Sequence, residues 1–318
     1  MNDTLQMWAH FIWRRLLALI VLLAALVAVT FFMVRLIPGD PAIRQAGTSA
    51  DAAYIEQLRE QMGLNESVPR QFVTYAGGLL RGDLGKSLVT GAPVSETLGK
   101  RLPYTIKLAG YALLFVIVFG YLLGMFAAIF TRNGRNGWFE HGFTAVTGLL
   151  GAVPELVAGI VLAFIFAVSL RWLPVSGANT PASIVLPALA IGIRPAINLA
   201  RIVRVEAGNA LRSDYMRTAQ SKRLPPRLLY VRHLAPNVAT SALTIGGLLA
   251  PLLIGGAVVV ENVFAWPGIG TTVVQGVKTA DFPVIQGCVL LLGLIVILMN
   301  LVVDILLTIF DPRSLVAQ

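Results

Sequence analysis

Charge is scarce in this sequence. Only 13% of its residues are Asp, Glu, Lys or Arg, about half the share that a soluble domain carries. Acid is scarcer than base, with 16 Asp and Glu against 25 Lys and Arg. The one cysteine, Cys288, sits in an apolar run with no His or Cys beside it. That excludes an internal disulfide and a cysteine metal site, and leaves a small core residue. The three histidines are scattered, and no HExxH, GxSxG, paired-cysteine or GxxxxGK[ST] pattern occurs. Gly82-Asp83-Leu84-Gly85-Lys86-Ser87 lacks the first glycine of a phosphate loop and reads as a turn. Catalytic residues and metal ligands are therefore expected to be none.

What is abundant is apolar sequence: 56% of the residues are hydrophobic and the mean hydropathy is +0.76. Several runs exceed the roughly 18 apolar residues that read as a membrane span. The expected class is an all-α integral membrane protein. Six transmembrane helices are placed at 11–37, 104–130, 141–170, 184–205, 238–260 and 284–310, the third broken near Val153-Pro154-Glu155. The first run is too long for the apolar core of a signal peptide and reads as a retained span. The net charge of +9 is an orientation signal, not a nucleic-acid signal. Arg14 and Arg15 precede span one, and the short loop at Arg132 and Arg135 is basic. With an even span count, both N and C termini are expected to be cytoplasmic. Trp172 and Pro174 mark an outer boundary.

The expected organisation is an N-terminal transmembrane helix over 1–37, an extracytoplasmic loop region over 38–101, a transmembrane domain over 102–311 and a short cytoplasmic tail over 312–318. Pro38-Gly39-Asp40-Pro41 stops span one. Short helices are predicted at 51–62, ended by Gly63, and at 70–80. Within the transmembrane domain lies a polar loop over 206–236, part of a basic stretch carrying Arg201, Arg204, Arg212, Arg217, Lys222, Arg223, Arg227 and Arg232. Only Glu206 and Asp214 oppose them. Ser213 or Asp214 is placed to cap a helix, Tyr215, Met216 and Ala219 fall on one face, and Leu224-Pro225-Pro226 ends it. Three readings fit: a docking helix, an anchor to anionic lipid worth about 1 kcal/mol per basic residue, or an orientation signal alone.

Ionisable residues within spans are functional candidates. Glu155, after Pro154, and Arg194, before Pro195, are candidates for a translocation path; the competing reading is a structural buried pair. Asn300 and Asp304 share a face of span six and are expected to bond a neighbouring helix. Gly246-Gly247 and Gly255-Gly256 permit close helix approach. Glu261, Phe264, Trp266, Pro267 and Gly268 form an outer block that reads as a gate, a docking surface or an interfacial turn.

The run Asp214-Tyr215-Met216-Arg217-Thr218-Ala219-Gln220-Ser221-Lys222-Arg223-Leu224, followed by His233-Leu234-Ala235-Pro236-Asn237, resembles the EAA loop of bacterial ABC importer permeases. It is most similar to the B-type subunit of the dipeptide, oligopeptide and nickel family. Five further blocks resemble that family in order: Pro38-Gly39-Asp40-Pro41; Gly82-Asp83-Leu84-Gly85 with Ser87; Arg101-Leu102-Pro103 with Thr105; 261–270; and Asn300-Leu301 with Asp304, then Asp311-Pro312-Arg313. Together they cover nearly the whole chain.

The resemblance implies a type I ABC importer permease fold in the bacterial inner membrane. It implies an ATPase-coupling helix over Asp214, Tyr215, Met216, Arg217, Thr218, Ala219, Lys222, Arg223 and Leu224. Two departures stand out: Arg223 where the family usually has Gly, and Gln220-Ser221 where it has an Arg-Ala pair. Arg in a left-handed turn would be strained by roughly 1 kcal/mol. The implied partners are a second homologous permease subunit, two cytoplasmic ABC ATPase subunits, an extracytoplasmic substrate-binding protein and the lipid bilayer, with no nucleic acid. The chain is expected to bind no cofactor; ATP and Mg belong to the ATPases. The implied function is the pore of an ATP-driven importer of di- or oligopeptides, working by alternating access. Nickel or a metal–chelator complex is the alternative cargo. A gradient-driven secondary transporter is the alternative class, though no inverted repeat is evident.

Overall fold

The computed structural model describes residues 2–36, 41–46, 50–61, 63–134, 136–222 and 224–310. Among these residues the chain is helical, with a lone β-bridge between Lys86 and Pro93 and no strand. Five stretches are long and apolar enough to cross a membrane: Trp13–Arg35, Val94–Phe130, Pro181–Arg212, Pro226–Val263 and Phe282–Ile305. A further apolar pair, Gly137–Ala152 and Glu155–Ser169, is bent by 100° and makes a sixth when taken as one span. The bend follows from Pro154. Proline displaces the residue before it from helical geometry, and Val153 (ψ 124°) and Pro154 (ψ 146°) are both extended. The expected broken third span is thus two helices at nearly a right angle.

The chain gathers into two compact units: Met1–Thr105 with Pro267–Gln318, and Ile106–Trp266. The boundaries expected at 37/38 and 101/102 are not those of the units. In the first unit, α1 (Asn2–Arg35) packs on α13 (Phe282–Phe310). Asp304 binds Arg15 at 2.7 Å, the inter-helix bond expected of it. The short helices α2 (Pro41–Ala46), α3 (Ala52–Gln61) and α4 (Val68–Leu80) follow. Gly63, at φ +65°, lets the chain leave α3, with the Leu64 N–H donating to the Arg59 carbonyl at 3.0 Å. Helix α4 lies on α1, where Phe72 meets Phe31 edge-on and the Tyr75 hydroxyl donates to Thr30. Burial raises the Tyr75 hydroxyl above the ordinary phenol range.

Helix α5 (Val94–Phe130) begins at Val94 and not at 104 as expected, about three helical turns earlier. Pro103 lies inside the helix, and the added turns are held because Val94 and Leu98 pack with Ile269, Val284 and Cys288 in a buried cluster, a case of packing overriding propensity. Buried Thr105 fixes the junction by accepting the Ile269 N–H at 2.9 Å. The loop before α5 is clasped by buried Asp281, which accepts from the Ser87 hydroxyl and the Leu88 N–H.

The second unit holds the larger core. It comprises the rest of α5, then α6 (Gly137–Ala152), α7 (Glu155–Leu162) with a π-helical turn to Ser169, α8 (Val185–Arg212), α9 (Asp214–Ser221), α10 (Pro226–Leu228) with a π-helical turn to Leu234, and α11 (Ala235–Val263). Helix α8 lies at its centre, buried through Leu186, Ile191, Leu199 and Val203. Helix α5 approaches it backbone to backbone: a Cβ on Gly124 would sit 2.5 Å from the Ala200 carbonyl oxygen. Arg204 of α8 pairs with Glu140 of α6 and lies over the Phe143 ring. In α11, Gly246 lets Ile117 come close, whereas Gly255 has open space. Asp311-Pro312-Arg313, the 312–318 tail and most of Pro38-Gly39-Asp40-Pro41 lie outside the described residues.

Two outcomes test this packing. Gly124→Ala should destabilise the detergent-purified protein by about 1–3 kcal/mol, the usual range for overpacking. Gly110→Ala, at a glycine facing open space, should stay within about 0.5 kcal/mol; equal effects in thermal unfolding would refute the close approach. Asp304→Ala should lower the membrane level of the chain several-fold, and the exchange Arg15→Asp with Asp304→Arg should restore it in immunoblots; no recovery would deny the pair its role.

Candidate functional site

Helix α9 is set between the end of α8 and the Pro-rich turn. Ser213 occupies the cap position in an extended conformation, but its hydroxyl donates back to the Ala210 carbonyl at 2.6 Å and does not cap α9. The expected cap is therefore absent, and Asp214 instead opens the helix as its first residue, an acid where the helix dipole favours one. Helix α9 stops at Ser221, with Lys222 near ψ 5°. Arg223, the family departure, lies outside the described residues. Pro225-Pro226 does not end α9 as expected. Pro225 is extended and Pro226 starts α10, where a missing N–H costs nothing.

The burial of α9 is one-sided. Met216 is 0% exposed and Ala219 is also buried, both within the core of the second unit, with Leu224 packed against it. Tyr215 is 42% exposed and lies off that face, contrary to expectation. The buried stripe of so short a helix is narrow, and Tyr215 falls just beyond it. Asp214, Tyr215, Arg217, Thr218, Ser221 and Lys222 are all exposed. The Arg217–Asp214 contact, 3.6 Å between exposed groups, adds little. What α9 offers outward is one aromatic ring among charged and hydroxyl groups.

Two contacts hold the segment after α9, and sequence reasoning missed both. The Arg132 guanidinium donates to the Tyr230 hydroxyl at 3.1 Å, and the Tyr121 hydroxyl donates to the Ala235 carbonyl at 2.8 Å. Arg132 was legible only as loop charge. Tyrosines near a span end, with a hydroxyl to satisfy, were the available signal.

Glu155 opens α7 directly after the break. Its carboxylate lies against α11, where a Cβ on Gly256 would come 2.5 Å from Oε2. Arg194 of α8 interacts with it electrostatically, but no N···O ion pair within 4.0 Å joins them among the described residues. The two expected path residues are brought together, yet they are not a closed salt bridge.

Glu261, at 0% exposure, and Phe264 and Trp266 are buried. Trp266 donates its backbone N–H to the Glu261 carbonyl at 2.8 Å, and the Phe264 carbonyl accepts the Gly177 N–H at 2.8 Å. Side chains sealed in this way cannot be a contact surface for another protein, so the docking reading of these three is set aside, and Trp266 is a core residue, not an interfacial one. Pro267 is half-buried, and buried Gly268 caps α12 (Ile269–Thr279), accepting from the Thr271 and Thr272 hydroxyls at 2.9 Å. That helix was expected only as an irregular outer segment; Ile269, Val273 and Val277 at steps of four were its signal.

Known proteins are similar to this chain in sequence. Residues 120–316 match the family described as "Binding-protein-dependent transport system inner membrane component", and residues 8–109 match the N-terminal component of the same system. The chain is 40% identical over 301 residues to the glutathione transport system permease protein GsiC of Pectobacterium atrosepticum, covering 94% of this chain and 96% of that one. It is 39% identical over 305 residues to the GsiC protein of Salmonella paratyphi A, covering 95% and 98%. It is 36% identical over 312 residues to the probable peptide ABC transporter permease protein y4tP of Sinorhizobium fredii, again covering 95% and 98%. These relatives lend no support to the nickel alternative or to a gradient-driven carrier. With two matched segments spanning nearly its whole length and apolar helices to cross the bilayer, the chain belongs to the binding-protein-dependent transport system inner membrane components, as a multi-pass ABC importer permease of the bacterial inner membrane.

Proposed function

We propose that this chain forms half the pore of an ATP-driven importer for small peptides, di- and oligopeptides and glutathione-like thiol peptides included. The names of its relatives support that cargo. The other half is a second homologous permease. Two cytoplasmic ATPases and an extracytoplasmic binding protein complete the assembly, and ATP hydrolysis resides in the ATPases. Both termini and α9 face the cytoplasm, in keeping with the basic residues around 201–232.

One observation carries the coupling assignment. Helix α9 is anchored in the core of its own unit through Met216 and Ala219 while Asp214, Tyr215, Arg217, Thr218 and Lys222 stay exposed. A helix seated on one face and open on the other suits a handle that a partner grips. Nucleotide-driven closure of the ATPases moves this handle, and the permease alternates between outward and inward access. Glu155 and Arg194 lie on the path, and the Glu261–Gly268 turn closes its outer end as a packed gate.

Tyr215→Ala with Arg217→Glu should leave membrane levels within about twofold, both side chains being exposed, and should lower ATP-driven peptide uptake by the whole importer by about tenfold or more, as expected when an aromatic anchor is lost. Met216→Asp should instead lower the amount of chain in the membrane, because it buries a charge. Unchanged uptake in the Tyr215 and Arg217 double variant would remove α9 from the coupling role.

A further inference from the structure

The seam between the bent pair and α8 keeps one register across the break. A Cβ on Gly159 would lie 3.6 Å from the Ala190 Cβ, and one on Gly151 would lie 3.8 Å from the Asn198 Oδ1. Contacts on the two sides of the break thus advance along α8 in the opposite sense to the bent pair. Glu155 stands midway between Gly159 and Gly151, and Arg194 midway between Ala190 and Asn198. Glu155 and Arg194 interact electrostatically between these two contacts, and Asn198 lies one turn beyond Arg194 on α8 with its carboxamide oxygen toward Gly151.

Among the described residues, these three side chains, Glu155, Arg194 and Asn198, have no hydrogen-bond or ion-pair partner. Arg194 and Asn198 are exposed and Glu155 is half-exposed, so all three are reachable. They occupy segments otherwise apolar enough to lie in the bilayer. A carboxylate, a guanidinium and a carboxamide at that depth need water or a ligand, since lipid supplies no partner. Elsewhere in the same unit the chain does close such pairs, as Arg204 with Glu140 shows. Against α11 the carboxylate is confined by Gly256, which leaves no room for a side chain behind it.

We infer that Glu155, Arg194 and Asn198 form a station in the permease itself that reads a zwitterionic peptide: Glu155 takes the α-ammonium, Arg194 the α-carboxylate and Asn198 the peptide amide. The inference rests on the peptide-import reading and deepens it. A carboxylate and a guanidinium held apart on one seam match the two opposite end charges of a free short peptide. The station favours free over end-capped peptides within the path, independently of the binding protein. Gly256 is a positioning residue: any side chain there displaces the Glu155 carboxylate.

The test uses the complete importer in liposomes, with Asn198→Cys as reporter and labelling of this chain by N-ethylmaleimide read by mass; Cys288 is buried. Alanylalanine at millimolar concentration should slow the labelling, and N-acetyl-alanylalanine amide should not. Adding Glu155→Gln should raise the alanylalanine concentration needed by roughly tenfold, the loss of one charge-assisted contact. Ile202→Cys, one turn further along α8, is a second reporter should the first not assemble. Equal protection by free and capped peptide, or protection by neither, overturns the station. Uptake is scored separately in the unsubstituted importer. ATP-driven uptake of alanylalanine without selective protection defeats the station alone, and absence of uptake of any peptide defeats the peptide-import reading.

Discussion

A membrane helix that stops in mid-span exposes backbone groups that lipid cannot satisfy. The break at Val153-Pro154 is tolerated because α7 is packed on both α8 and α11. Small residues make that packing possible. Gly159 admits Ala190, Val263 and Phe264 on one side, and Gly256 admits the Glu155 carboxylate on the other. The larger core of the second unit depends on this three-helix contact. Buried Phe264 and Trp266 close its end, and the chain returns through Gly177 to bond the Phe264 carbonyl.

At the opposite end of α8, the same rigidity has a different use. Met216 and Ala219 belong to the core that contains Leu199, Val203 and Val238. An element seated so cannot slide by itself, because native interiors are close-packed and repack in discrete steps. Displacing α9 must carry the end of α8 and the start of α11 with it. The Tyr121–Ala235 and Arg132–Tyr230 bonds extend that continuity to α5. In the coupling role proposed for α9, a grip on its exposed side chains would act on three spans, without any need for α9 itself to be flexible.

Length and apolarity made the spans and the membrane class legible. Those signals depend on composition alone. Pro154 was visible as a break, since proline acts locally, but the 100° angle was not, because it is set by where α8 and α11 hold the two halves. The start of α5 was misplaced for a related reason: burial of Val94 and Leu98 rests on contacts distant in sequence. At α9 the periodicity located the helix but not its seated face. With only eight residues, a shift of one position decides whether Tyr215 is core or surface. The outer block misled through composition. An aromatic, proline and glycine cluster reads as an interface, whereas here it is the lid of a core.

Charges inside spans pose the harder problem, because a holding charge and a working charge look alike in sequence. Arg15, Glu140, Glu155, Arg194, Arg204 and Asp304 each stand near or within an apolar run. Register separates them. Arg15 meets Asp304 across α1 and α13, and Arg204 meets Glu140 across α6 and α8; each pair is closed, and removal of one member leaves an uncompensated charge. Glu155 and Arg194 interact electrostatically on their seam but stay beyond ion-pair distance. A stability role would favour closing that gap, since a separated pair keeps the desolvation cost and forgoes most of the attraction. Helix packing fixes the carboxylate, with Gly256 of α11 directly behind it. A fold that closes its other cross-helix pair in the same unit and holds this one open has placed two opposite charges where a third body can come between them.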